Sequence, residues 1–175
     1  MPQLIPADWM PAGKLARVIV HWTAGAGFAS AEDRDSYHVL VDRVGHLHRG
    51  EPAITDNLNT AEGDYAAHVR GLNSGSIGLA LCGMAGAHER PFAPGRFPLT
   101  KVQWNRALIA AAALCRRYGI APNERGLLMH CEVQRVYGIP STKWDISLRT
   151  WGPTAYDHMS PGEELRERVA LLLGG

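Results

Sequence analysis

His21 and His130 each close a short apolar run, and Lys143-Trp144-Asp145 follows soon after the second. These positions offer two imidazoles, a carboxylate and an ammonium, a set suited to a zinc hydrolase. Catalytic zinc takes three nitrogen or oxygen ligands and keeps a fourth position for water, whose pKa falls to about 7. A nearby cation then stabilises the oxyanion that forms when water attacks a carbonyl. A lone histidine at a strand end is more often a hydrogen-bonded core residue. Two such strand ends, with an acid in a turn after the second, outweigh that reading.

The elements that must position these groups can be read from pattern. Residues 15–22 form a β-branched run closed by Thr23-Ala24-Gly25-Ala26-Gly27, which predicts a buried strand ending at the first histidine. Residues 36–43 predict a second strand, turning at Gly45 into a hairpin partner with His46-Leu47-His48. Residues 76–82 predict a third, and residues 127–130 a short strand delivering His130 at its end. Thr100 as N-cap with Gln103 three residues on opens a helix that Gly119 closes, and Ser160-Pro161-Gly162-Glu163 opens another. The residues from Ala85 to Pro98 and from Gly50 to Asp64 read as irregular. The expected fold is α/β, a single domain over residues 1–175 with a central mixed β-sheet flanked by helices.

Composition narrows the function. With 175 residues, 46% hydrophobic and 20% charged, and a formal net charge of +1, the chain offers no electrostatic footprint for nucleic acid or acidic lipid. No stretch approaches the roughly 20 apolar residues that span a bilayer, so membrane insertion is not expected. The start, Met1-Pro2-Gln3-Leu4-Ile5-Pro6, lacks a basic region followed by an apolar one, so synthesis and retention in the cytoplasm are expected. Cys82, Cys115 and Cys131 are odd in number and widely spaced, which argues against a disulfide framework. Alternation in a strand turns Cys131 away from any site served by His130. His46 and His48 share one face at i, i+2, without an identifiable third ligand.

Several segments, in order, resemble the type 2 N-acetylmuramoyl-L-alanine amidases, the group that includes amidase-type phage lysozymes and peptidoglycan recognition proteins. Val18-Ile19-Val20-His21-Trp22-Thr23-Ala24 is similar to that family's first zinc-ligand strand, and Ser36-Tyr37-His38-Val39-Leu40-Val41 to the strand bearing its active-site tyrosine. Ala67-His68-Val69-Arg70-Gly71-Leu72-Asn73 with Ser76-Ile77-Gly78-Leu79 resembles the segment lining the muropeptide groove. His130-Cys131-Glu132-Val133 resembles the second zinc histidine and its sequel, and Lys143-Trp144-Asp145 the family's closing motif. The resemblance implies Zn2+ on His21, His130 and Asp145, with Tyr37 orienting or helping to deprotonate the attacking water and Lys143 stabilising the oxyanion. Trp22, Thr23, His68 and Asn73 become candidates for binding substrate.

Two departures stand out. The third ligand is aspartate where many relatives have cysteine, and residues 136–140 look like a loop insertion that shapes the cleft. The activity implied is hydrolysis of the amide between N-acetylmuramic acid and L-alanine in peptidoglycan, by a monomeric endolysin without a separate wall-binding domain. Such an enzyme would reach the wall through a membrane lesion made by another protein. The alternatives are a non-catalytic peptidoglycan-binding module, which would lack a complete ligand set, and a cytosolic amidase that recycles muropeptides.

Overall fold

A computed structural model describes residues 4–174; Met1, Pro2 and Gln3, part of the segment read for a leader, lie outside it, as does Gly175. Five strands make one mixed sheet: β1 (Arg17–Trp22), β2 (Val39–Val41), β3 (Leu47–Arg49), β4 (Ser76–Leu81) and β5 (Leu127–Met129), in the order β3-β2-β4-β1-β5. Only the β2–β3 hairpin is antiparallel. β1 lies between two parallel neighbours, with Val20 opposite Leu79 on one side and Met129 on the other. A parallel strand covered on both faces needs a continuous apolar run rather than alternation, and Val18, Ile19 and Val20 are all fully buried.

Helices α2 (Lys101–Tyr118) and α4 (Pro161–Gly174) share the main core with alternate residues of the sheet. Thr100 Oγ1 accepts from the Gln103 amide at 3.2 Å and Gln103 Oε1 from the Thr100 amide at 3.3 Å, the reciprocal cap expected from sequence. The Gln103 side chain then donates to the carbonyls of Val41 and Cys82, at 2.8 and 2.9 Å, which ties the helix start to the ends of β2 and β4. Gly119 ends α2 at a φ of 64°, a left-handed conformation that favours glycine. The opposite face carries a smaller cluster of Ile19, Val69, Leu128 and Val133.

Three local readings are corrected. The second strand does not begin at Ser36: residues Ala31–Ser36 form a short helix, α1, and Tyr37 is its C-cap. Ser30 and Asp33 cap α1 reciprocally, at 3.1 and 3.0 Å, so local hydrogen bonding overrides the extended pattern. The fifth strand stops at Met129, and His130 opens a 3-10 turn, His130–Glu132, that leads into α3 (Val133–Tyr137). The supposed loop insertion is therefore half helix: Val136 and Tyr137 finish α3, and Gly138 at φ 71° turns the chain out of it.

Candidate metal centre and cleft

β1 and β5 are parallel neighbours, so their carboxyl ends open on the same edge of the sheet, where open α/β sheets hold their ligands. His21 is the penultimate residue of β1 and His130 follows β5 directly, which sets their rings 4.6 Å apart. The Cys131 amide donates to the Asp145 carbonyl at 2.8 Å and so fastens the returning chain beside His130. Asp145 Oδ2 then lies 3.2 Å from His21 Nδ1 and 3.3 Å from His130 Nδ1. All three residues are buried, and their three ligand atoms lie within 4.8 Å of one another.

A tetrahedral zinc with bonds of about 2.0–2.1 Å sets its ligand atoms about 3.3 Å apart. The two separations from Asp145 match that edge. Two neutral imidazoles and one carboxylate also suit zinc chemically and would leave the ion a net positive charge, so the residues fit the metal by type and by spacing.

The electrostatics favour that ligand form. Burial lowers the His21 pKa against the pull of Asp145, and the nearby charges of His130 and Lys143 lower it further. Burial alone would raise the Asp145 carboxyl, but the close approach of the His130 and His21 rings holds it well below the usual carboxylate range. Burial, with the charges of Asp145 and Asp33, raises the Tyr37 phenol, which stays protonated as a hydrogen-bond donor.

Two of the three ligand candidates, His130 and Asp145, line a cleft of about 590 Å3 whose walls also include Tyr37, Lys143, Trp22, Thr23 and His68, while His21 itself is fully buried. The Tyr37 ring lies 5.2 Å from that of His21. Lys143 is exposed on the wall, and no ion pair holds it among the described residues. Trp22 is nearly buried, its ring edge-on to Trp144 at 4.5 Å, so it supports the wall more than it presents a face. Thr23 Oγ1 accepts from the amides of Gly25 and Gly83, each at 3.2 Å. His68 turns inward, with Nδ1 3.1 Å from His21 Nε2 and Nε2 3.4 Å from the Ser76 carbonyl. Asn73 is not brought into the cleft: its Oδ1 accepts from the Val69 amide at 2.8 Å and holds the loop bearing His68 in shape.

Arg70 and Trp144 also line the cleft, and sequence reasoning singled out neither, although both lie in segments that carry the family resemblance. Arg70 is an exposed arginine in the segment that resembles the lining of the muropeptide groove. Trp144 stood between Lys143 and Asp145 and could have been found by asking what must flank a ligand in a cleft. Cys131 lies away from the cleft as expected, but not through strand alternation, since no strand reaches it. It packs against the main core and lines a separate cavity with Glu132 and Arg166, and burial pushes its thiol up to about 12. His46 and His48 both face the buried carboxylate of Asp42, at 3.4 and 2.9 Å. Arg34 donates to His48 Nδ1 at 3.3 Å, which leaves His48 Nε2 as the donor to Asp42 in an ordinary structural network.

Known proteins place this geometry in context. The endolysin N-acetylmuramoyl-L-alanine amidase LysCS from Clostridium intestinale URNW is 15% identical and covers 97% of each chain, with a TM-score of 0.57. The N-acetylmuramoyl-L-alanine amidase LysC from the same organism is 16% identical over 97% of this chain and 99% of its own, with a TM-score of 0.58. The Ph2119 endolysin from Thermus scotoductus MAT2119 bacteriophage Ph2119 is 17% identical over 91% and 88%, with a TM-score of 0.54. Likeness at such identities speaks to the fold. No match was found among curated proteins. Residues 11–153, which hold all five strands and every residue of the cleft, match the N-acetylmuramoyl-L-alanine amidase family model, and the chain belongs to that family.

Proposed function

We propose that this N-acetylmuramoyl-L-alanine amidase is zinc-dependent and acts as an endolysin, with His21, His130 and Asp145 as the zinc ligands. The observation that carries the metal is the approach of two imidazole Nδ1 atoms to one carboxylate oxygen, at 3.2 and 3.3 Å. Zn2+ held there supplies a Lewis acid and a water acidified to a pKa of about 7.

The chain's own residues do the rest. Lys143 reaches in from the wall beside Asp145 and stabilises the negative charge that develops on the scissile carbonyl oxygen. Tyr37, held protonated by burial, orients the attacking water through its hydroxyl. Trp22, Thr23 and Trp144 shape the wall against which the muramoyl group and stem peptide lie, and Asn73 acts indirectly by holding the loop of residues 69–73. The protein works as a monomer on peptidoglycan and reaches it through a membrane lesion made by another protein. Two observations are consistent with this. The named structural neighbours include endolysins, and no helix among the described residues is long and apolar enough to cross a membrane.

Digestion of purified peptidoglycan followed by mass spectrometry tests the reading. The expected products are intact glycan strands and stem peptides with a free L-alanine amino terminus, formed only while metal is present. Products with cleaved sugars or cleaved peptide crosslinks would overturn the assignment of the bond, and undiminished release under chelation would overturn the zinc.

A further inference from the structure

We propose that His68 is a positioning residue that sets the tautomer of His21, so that His21 presents its Nδ1 lone pair to the metal; this rests on the zinc reading above. A metal-bound histidine usually donates its other ring N–H to a carboxylate, a backbone carbonyl or water. Here the partner of His21 Nε2 is a second imidazole, His68 Nδ1, at 3.1 Å.

The direction of that bond follows from what surrounds His68. Its Nε2 faces the Ser76 carbonyl at 3.4 Å, and a carbonyl oxygen can only accept, so the proton of a neutral His68 belongs on Nε2. Nδ1 is then an acceptor, His21 Nε2 must carry a hydrogen, and His21 Nδ1 is left with its lone pair beside Asp145 Oδ2. No other ring nitrogen interferes. His38, whose ring lies 5.7 Å from that of His68, is fully engaged: its Nδ1 accepts from the Gly78 amide at 2.9 Å and its Nε2 donates to Asn57 Oδ1 at 3.0 Å.

The fold leaves room for this ring and little else. A Cβ on Gly78 would meet His68 Cδ2 and Cγ at 2.8 Å, so β4 carries a glycine where the imidazole lies against its backbone. A neutral partner also has an electrostatic consequence. A carboxylate in its place would add a second negative charge near the metal and weaken the acidification of its water, whereas an imidazole orients His21 without that cost.

The test uses the full chain and two substitutions. His68→Gln keeps an acceptor for His21 and a donor for Ser76, whereas His68→Leu keeps bulk and loses both. Zinc affinity is measured by chelator competition, beginning with the wild type. His68→Leu is expected to bind zinc about 10- to 100-fold more weakly, as for the loss of other such partners, and His68→Gln to recover most of it. Equal affinity in the wild type and a folded His68→Leu would overturn the proposal while leaving the zinc reading intact. A wild type that binds no zinc would overturn the zinc reading, and this one with it. Should the leucine variant fail to fold, nitrogen NMR of the zinc-loaded wild type decides: coupling across His21 Nε2–H to an unprotonated His68 Nδ1 is expected, and a proton on His68 Nδ1 would overturn the proposal.

Discussion

At the scale of single residues, the cleft separates groups suited to hold a cation from groups suited to act on substrate. His21, His130 and Asp145 are buried and converge on one point, whereas Lys143 is exposed on the wall and carries the wrong charge to be a ligand. Lys143→Ala should therefore retain zinc and lose turnover by on the order of a hundredfold, the usual scale for removing an oxyanion donor. Asp145→Ala should weaken zinc binding itself, because it removes the only anion from the set. Zinc content and rate measured together on both variants check the division: a Lys143→Ala protein with the wild-type rate would return the lysine to the surface. His21, His130 and Asp145 were recognisable as a set through their resemblance to a family, since nothing in their spacing alone says that the second and third lie beside the first. The inward turn of His68 was not legible at all, because its contact with His21 exists only once β4 pairs with β1.

At the scale of elements, one close approach sets the position of Tyr37. A Cβ on Gly50 would lie 1.7 Å from the Tyr37 carbonyl oxygen and 3.0 Å from that of Arg34, so only glycine lets the chain after β3 pass the end of α1. Gly50→Ala must push the Tyr37 backbone away. It should cost about 3 kcal/mol, the upper end of ordinary overpacking, and should lower turnover in the fraction that remains folded. Urea unfolding with a parallel rate measurement checks both, and an alanine variant as stable and active as the wild type would contradict the assigned packing.

The elements that sequence disclosed were those with a strong physical signature. β1 and β4 are buried on both faces and read as apolar runs; α2 and α4 announce themselves through Thr100 with Gln103 and Ser160 with Glu163. α1 and α3 were not seen, because each is a single turn or little more and buries one residue, Asp33 and Val133 respectively. A helix without an apolar stripe has no period to detect.

At the scale of the whole molecule, a chain of buried histidines runs from His38 through His68 to His21, one of the candidate metal ligands. Burial lowers the His38 pKa to about 4, with only partial opposition from its hydrogen bond to Asn57, and lowers His21 and His68 as well. In the unfolded chain these groups titrate near 6.5, so between about pH 6.5 and 4 the unfolded state binds protons that the native state refuses. Stability is therefore fully present above pH 6.5 and falls as the pH drops through that window, by roughly 3 kcal/mol from His38 alone. Urea unfolding of the metal-free protein at pH 7 and pH 4.5 should show the loss, and a flat profile would contradict the burial of neutral imidazoles.

Hydrolysis is expected to depend on a zinc ion held by His21, His130 and Asp145. The most direct measurement is metal analysis of the purified protein alongside release of free amino termini from peptidoglycan, before chelation, after it, and after zinc is returned. The expected result is about one zinc per chain, loss of hydrolysis with loss of the metal, and recovery when zinc is restored. Full hydrolysis by metal-free protein, or by a His21→Ala variant without zinc, would contradict it.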